Sequence, residues 1–252
     1  MDLTLEQIHE FNICPMIYKF KYIMGIRREG FYPLEDKYHE SIRKTIMFYY
    51  YQILNGRQPT LEQLRQKFGS IFFKDKTPLD ILGSSTFDSN YNALSAQGVK
   101  TINAFYNRES AKQFVPIMVD QDVRVPVKDH HLIMTIDLVR EMKYTERSLT
   151  EVVMFTNTKK NVDTFYVNHN VNLTAHAYAF RKLFETKENR LVIQHMKSGK
   201  EFFTVRKDHE LRRLEAIVNC VADAITRDKF YPVHNIQCNR CVYRDICDKY
   251  KF

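Results

Sequence analysis

The sequence predicts an α/β (α+β) fold, a mixed central sheet of about five strands with helices around it. Three observations carry that expectation. The first third has helical periodicity and two helix-start signals, a β-rich block begins at Phe114, and the remainder runs helix, two strands, helix. In the first third, Thr4-Leu5-Glu6-Gln7 has the spacing of a capping box that opens a short helix. Pro15 suits the start of a second helix carrying Met16, Ile17, Phe20 and Ile23. A third helix is expected over about 35–54, and the stretch from Pro59 to Gln63 repeats the capping-box spacing from Thr60 to Gln63. The stretch from Lys74 to Ser89 is rich in Asp, Pro, Gly and Ser and reads as a loop or insertion, after which helix returns over 91–108.

From Phe114 the pattern changes. VPIMVDQDVRVPV and HHLIMTIDLVREM are β-rich runs joined at the polar Lys128-Asp129, as in a hairpin, and SLTEVVMFTNT is a third strand. The segment NLTAHAYAFRKLFETK then reads helical, with Leu173, Ala177, Phe180 and Phe184 on one side. RLVIQHM and EFFTVRK form two further strands around Ser198-Gly199-Lys200, and HELRRLEAIVNCVADAITRDKF is a long amphipathic helix leading into the tail.

Composition narrows the classes of function. Hydrophobic residues make up 44% of the 252, enough for a core, which excludes global disorder. Lys and Arg number 38 against 30 Asp and Glu, and the resulting charge of +8 favours a polyanionic partner, nucleic acid first. No run reaches the roughly 18 apolar residues of a membrane span, so no membrane role is expected. The start, MDLTLEQIHEF, lacks the basic opening and apolar run of a signal peptide, so a cytoplasmic, reducing environment is expected for the five cysteines.

Three of those cysteines form a tight group, Cys238-Asn-Arg-Cys241-Val-Tyr-Arg-Asp-Ile-Cys247. A CxxC pair lets two thiolates converge without strain and a third from the next turn extends the cage, so the spacing points to metal. Three ligands leave the site open. His234, just upstream, would complete a zinc knuckle; Cys14, in Phe-Asn-Ile-Cys-Pro, would complete an all-thiolate site suited to zinc or to a four-iron cluster, and would staple the tail to the beginning of the chain. Cys220, with Ile217 and Val221 near it in the long helix, is expected to be a core thiol.

Phe11-Asn-Ile-Cys14-Pro-Met-Ile-Tyr18-Lys-Phe-Lys-Tyr22 at one end, and Tyr231-Pro232 followed by the three cysteines with Tyr243-Arg244-Asp245 before the last, together resemble one family. They are similar to RecB-type nucleases of the PD-(D/E)XK superfamily, in the branch with an iron–sulfur cluster that includes the AddB-type subunit of bacterial helicase–nucleases and the CRISPR adaptation nuclease. The similarity covers most of the chain and is weakest over about 55–110. It implies a restriction-endonuclease-like core, a 4Fe-4S cluster on Cys14, Cys238, Cys241 and Cys247 in preference to zinc, and a single domain over 1–252. Within it, about 55–110 would be a helical insertion, 111–230 the core, and 231–252 a cysteine knot closing on Cys14.

The resemblance also implies a nuclease site, which here is incomplete. His39 in Tyr-His-Glu stands where the family's first metal ligand is expected, and Asp137 in Thr-Ile-Asp-Leu resembles the second. At the third motif, an acid and a lysine separated by one residue, the chain has Met154 and Thr156; at the fourth, Thr174-Ala-His-Ala-Tyr178 keeps the tyrosine without the glutamine. A magnesium or manganese ion needs hard oxygen ligands, which a thioether does not supply, and a threonine carries no charge for the developing anion. Glu151 lies on the other face of the same strand, and Lys159 and Lys160 at or beyond its end are weak replacements.

The function expected is therefore that of a DNA-binding iron–sulfur pseudo-nuclease, a subunit of a larger bacterial or phage DNA-processing complex, with vestigial His39, Asp137 and Tyr178 and no intact catalytic set. Basic residues proposed for phosphate contact are Arg181, Lys182, Arg206, Lys207, Arg212 and Arg213. Two alternatives stand beside it: an active magnesium- or manganese-dependent DNA exonuclease with relocated groups, still using His39 and Asp137 for the ion, and a zinc-stabilised interaction module.

Overall fold

The computed structural model describes residues 1–28, 34–73, 85–157 and 162–250. In chain order, β1 (Asp2–Thr4), α1 (Leu5–Ile13) and α2 (Pro15–Tyr18), the last continued by a π turn over Lys19–Ile23, precede α3 (Leu34–Leu54), α4 (Leu61–Phe72) and α5 (Ser85–Glu109). Strands β2 (Phe114–Val127), β3 (His130–Lys143) and β4 (Ser148–Thr156) follow, then α6 (Thr164–His169), α7 (Val171–Phe184), β5 (Arg190–His195) and β6 (Glu201–Thr204). Helix α8 (Asp208–Thr226), a 3₁₀ turn over Ile236–Arg240 and α9 (Arg244–Cys247) complete the chain. Among the described residues no helix is long and apolar enough to cross a membrane.

These elements form two compact units: Met1–Phe31, Asp122–Thr135 and Arg206–Phe252 in one, Tyr32–Gln121 and Ile136–Val205 in the other. In the first, β1 lies parallel to the early part of β3, with Leu3 opposite Leu132. Helix α1 opens with the expected capping box: Thr4 Oγ1 accepts from Gln7 N at 3.1 Å, and Gln7 Oε1 accepts from Thr4 N at 2.8 Å. Helix α8 packs on α1 and buries Leu214, Val218, Val221, Ala222 and Ile225, a stripe at helical spacing. Cys220 lies off that stripe and is exposed, which corrects its expected place in the core: apolar sequence neighbours did not put it on their face of the helix.

In the second unit, β3, β4, β5 and β6 are consecutive neighbours, paired antiparallel, parallel and antiparallel, so the sheet is mixed as expected. Strand β4 is buried from Glu151 to Phe155, which is why Val152, Val153, Met154 and Phe155 read as a continuous apolar run. Helices α3, α4 and α5 pack on one another around Tyr49, Tyr50, Phe68, Phe72, Tyr91 and Phe105. The stretch over 55–110 thus supplies much of this unit's core. Its capping box is present, with Gln63 N donating to Thr60 Oγ1 at 3.2 Å. Gly98 admits the Phe68 ring, because a Cβ there would stand 2.1 Å from that ring.

Three details depart from the sequence reading. Strand β1 is additional to the five expected; three residues, Asp2-Leu3-Thr4, are too few to show alternation. Helix α6 is a single short segment, started by Asp163, whose carboxylate accepts from Tyr166 N at 2.7 Å. Of the loop expected over Lys74–Ser89, residues 85 onward belong to α5 and the rest lies outside the described residues.

Candidate functional site

In the first unit, chain geometry brings the cysteine tail to the end of α1. Cys14 leaves the helix with extended backbone, φ −163°, and Pro15, which has no N–H to place, starts α2. Val233 N donates to Cys14 Sγ at 3.5 Å, and Asn235 Nδ2 donates to Ile13 O at 3.0 Å. The Asn235 side-chain oxygen caps the 3₁₀ turn through Gln237 N at 2.8 Å, and that turn carries Cys238. Cys238 Sγ reaches back to Val233 O at 3.7 Å. Cys241 ends the turn, and Cys247 N donates to Tyr243 O at 2.9 Å. Tyr243 is buried; its hydroxyl donates to Ile26 O at 3.2 Å and its ring meets Phe20 at 5.8 Å.

Cys14, Cys238, Cys241 and Cys247 thereby line one cavity of about 150 Å³, with Met16, Phe20 and Tyr243 as its apolar wall. His234 lines it as well. Burial, followed by the neighbouring thiols and Asp248, pushes the Cys247 thiol up. Among the described residues, no three His, Cys, Asp or Glu side chains converge closely enough to hold a single metal ion.

The second unit holds the nuclease-like positions. The register Leu138↔Val153 brings the C-terminal half of β4 beside Asp137. Asp137 is nearly buried, and both its oxygens are taken: Oδ1 accepts from Arg43 Nη2 at 2.7 Å and Oδ2 from Phe155 N at 2.8 Å. The same Arg43 nitrogen donates to Asp120 Oδ1 at 2.6 Å. Burial alone would weaken the guanidinium's charge, but Asp137 and Asp120 more than offset it and hold Arg43 firmly protonated. A cation therefore already sits between the two carboxylates, and it belongs to the chain.

The remaining expected groups do not rebuild an ion site. Met154 is buried and Thr156 stands at the strand end. His39, one turn before Arg43 on α3, lines a separate cleft with His195 and Asn157. Tyr178 is buried, with Lys182 Nζ 5.2 Å from its ring centre. Glu151 is wholly buried and bonds Arg140 and Arg190, as its place on the opposite face requires. Lys159 and Lys160 lie outside the described residues. The residues present do not fit a divalent ion here: Arg43 already occupies Asp120 and Asp137, and Met154 offers a thioether, a poor ligand for a hard ion.

Sequence reasoning missed Arg43, Asp120 and His176. Arg43 lies four residues after His39, so helical spacing alone puts it on the same side of α3. Asp120 sits at φ +47° within β2, a placement no strand pattern signals. His176 donates from Nδ1 to Asn172 O at 2.8 Å, and its buried Nε2 makes no hydrogen bond and lies 3.9 Å from Asp137 Oδ2. Of the basic candidates, Arg181 is committed to the buried Glu188 at 2.7 Å, and Arg206 is fully buried beside Glu210 at 3.6 Å, so neither presents its charge to a phosphate. Lys182, Lys207, Arg212 and Arg213 are exposed.

A search of curated proteins gives no match. The model of the PD-(D/E)XK nuclease superfamily matches residues 2–248, spanning both units, and the chain belongs to that superfamily.

Proposed function

We propose that the protein is a DNA-binding pseudo-nuclease that keeps the superfamily fold without its chemistry and works as a subunit of a larger DNA-processing complex. The observation that carries this reading is Arg43, whose guanidinium bridges Asp120 and Asp137 at 2.6 and 2.7 Å. Metal-assisted hydrolysis needs an ion there to polarise a phosphate and activate water. A guanidinium neutralises the same carboxylates but has no open coordination position and lowers no water's pKa. Met154 and Thr156 point the same way, since neither restores the hard ligand or the positive charge. The excess of 8 positive charges over the chain supports an affinity for nucleic acid.

The second part of the proposal is a structural 4Fe-4S cluster on Cys14, Cys238, Cys241 and Cys247. Its support is an all-cysteine donor set around one cavity of about 150 Å³. The same four thiolates would also suit zinc, and the metal analysis below separates the two. Bound there, the cluster would tie the end of α1 to the tail and add folding free energy.

Anaerobic purification followed by iron, sulfide and zinc analysis tests the cluster: iron with equimolar sulfide is expected, and zinc alone would overturn it. End-labelled single- and double-stranded DNA with manganese, beside an Asp137→Ala variant, tests the rest. Retention of DNA without cleavage is expected. Cleavage that disappears in the variant would make the protein an active exonuclease, and absence of any DNA retention would remove the binding role.

A further inference from the structure

One amide side chain, Asn235, joins the end of α1 to the cysteine tail, and both ends of the amide are used. Its Nδ2 donates to Ile13 O at 3.0 Å and to Val233 O at 3.3 Å, and its Oδ1 accepts from Gln237 N at 2.8 Å. The three partners agree on one orientation of the group: two are carbonyls and need a donor, and one is an N–H and needs an acceptor. The backbone of the same residue takes part as well, since Asn235 O accepts from Cys238 N at 3.0 Å.

These bonds fall on the peptides beside two of the four thiols. Ile13 O is the carbonyl that precedes Cys14, in the last turn of α1, where a helix leaves its own carbonyls unpaired. The N–H of Cys14 is held by Glu10 O at 3.0 Å, so Cys14 is fixed from both sides. Cys238 lies on the 3₁₀ turn that the Asn235 side chain caps. Val233, whose carbonyl the amide also holds, donates its N–H to Cys14 Sγ at 3.5 Å. The beginning and the tail are tied at two further points, Tyr243 Oη to Ile26 O at 3.2 Å and Arg28 Nη2 to the Asp245 carboxylate at 2.7 Å. Neither of those bonds touches Cys14, Cys238 or a residue adjoining them.

Resting on the metal-site reading above, we infer that Asn235 is a positioning residue for the thiolate site: it sets Cys14 against Cys238 through the chain's own bonds and aims the Val233 N–H at the Cys14 sulfur. Two thiols so far apart in the chain would otherwise be gathered at the expense of binding free energy, because closing a long loop costs chain entropy. A neutral amide suits the place. It fixes two peptides without putting a carboxylate beside thiolates, which would repel them, or an ammonium, which would pair with them. An N–H aimed at sulfur favours the more negative form of a metal–thiolate centre.

The test loads the full chain anaerobically with ferrous iron and sulfide, then reads the chelator concentration that removes half of the iron. Asn235→Ala is expected to hold iron about 10–100-fold less tightly, the usual effect of removing a group that orients a ligand. Asn235→Ser keeps an acceptor for the 3₁₀ turn and has no amide donor, so the same loss is expected. Arg28→Ala cuts an exposed tie between the same two ends and should stay within about twofold of wild type. A merely structural role is read separately, in urea unfolding of the metal-free chains, where Asn235→Ala should fall no further than Arg28→Ala. The reduction potential of the loaded Asn235→Ala variant should be more negative than that of wild type. Unchanged iron retention in Asn235→Ala would overturn the inference, and so would Asn235→Ser behaving as wild type or Arg28→Ala losing as much. Zinc alone in wild type would overturn the cluster, and the same loss of zinc retention in Asn235→Ala would still bear out the positioning role. Absence of any bound metal in wild type would overturn both readings.

Discussion

Asp137 and Arg140 stand three residues apart on β3 and point to opposite faces of the sheet, and each is the centre of an ion cluster. Around Arg140 the cluster is closed. Its guanidinium bonds Glu151 at 2.7 Å, Glu201 at 2.9 Å and Glu109 at 3.3 Å; Tyr50, kept protonated by burial and then by the Glu109 charge, donates to Glu109 at 2.9 Å, and Gln194 does so at 3.0 Å. Lys112 bridges Glu109 and Glu201. Around Asp137 the cluster is smaller and reaches the surface: Arg43 is one-third exposed and Asp120 more so. The first cluster has every carboxylate answered several times, as buried charge requires. The second pairs two carboxylates with one arginine and leaves His176 Nε2 without a hydrogen bond, 3.9 Å from Asp137 Oδ2. One is closed on all sides; the other is an ion pair that reaches the surface.

Substitution should separate them by size. Arg140→Leu removes the buried cation that Glu109, Glu151 and Glu201 share, leaving Glu151 to Arg190 and the other two to Lys112, and is expected to cost about 3–5 kcal/mol in urea unfolding; a loss under about 1 kcal/mol would mean the two faces are equivalent. Arg43→Met should cost less, about 1–2 kcal/mol, because Arg43 and Asp120 are partly exposed and water screens the two charged hydrogen bonds that are removed. It should also gain a property. With the guanidinium gone, Asp120 and Asp137 face each other uncompensated, and manganese uptake, read as loss of the free-ion signal in electron paramagnetic resonance, is expected in the variant and not in wild type. Uptake by both would show that the arginine never stood in an ion's place.

What the sequence revealed follows the same division. Local signals were legible: both capping boxes, the hairpin at Lys128-Asp129, and the buried run of β4 depend on neighbours within a few residues. CxxC with a third thiol is a short-range pattern, and Cys14, remote in sequence, lines the same cavity as those three cysteines. Asp137 was read from its motif, but its partner was not. Arg140 is the nearest cation in sequence, but strand alternation sends it to the other face; Arg43 arrives from 94 residues away. Arg206 shows the reverse error. A basic residue ahead of a helix reads as surface, and only the folded chain shows it fully buried.

The smallest expected effect is on pH dependence, and it isolates the closed cluster. Burial works against the charge of Glu201, but Arg140 and Lys112 outweigh it and hold its carboxyl below the ordinary value of 4.5. A depressed carboxylate contributes stability that is present above its unfolded pKa and is lost as the pH falls through the folded one. Wild type should therefore exceed Glu201→Gln in unfolding free energy at pH 7, and the gap should close as the pH is lowered below about 4. Repeating the pair in an Arg140→Leu background removes the main source of the shift, so the change in the gap with pH should shrink there. A gap that stays constant from pH 7 to pH 3 in the wild-type background would mean that Glu201 is held by packing and not by Arg140. The three-carboxylate cluster would then reduce to a pair, no larger in kind than the one around Asp137.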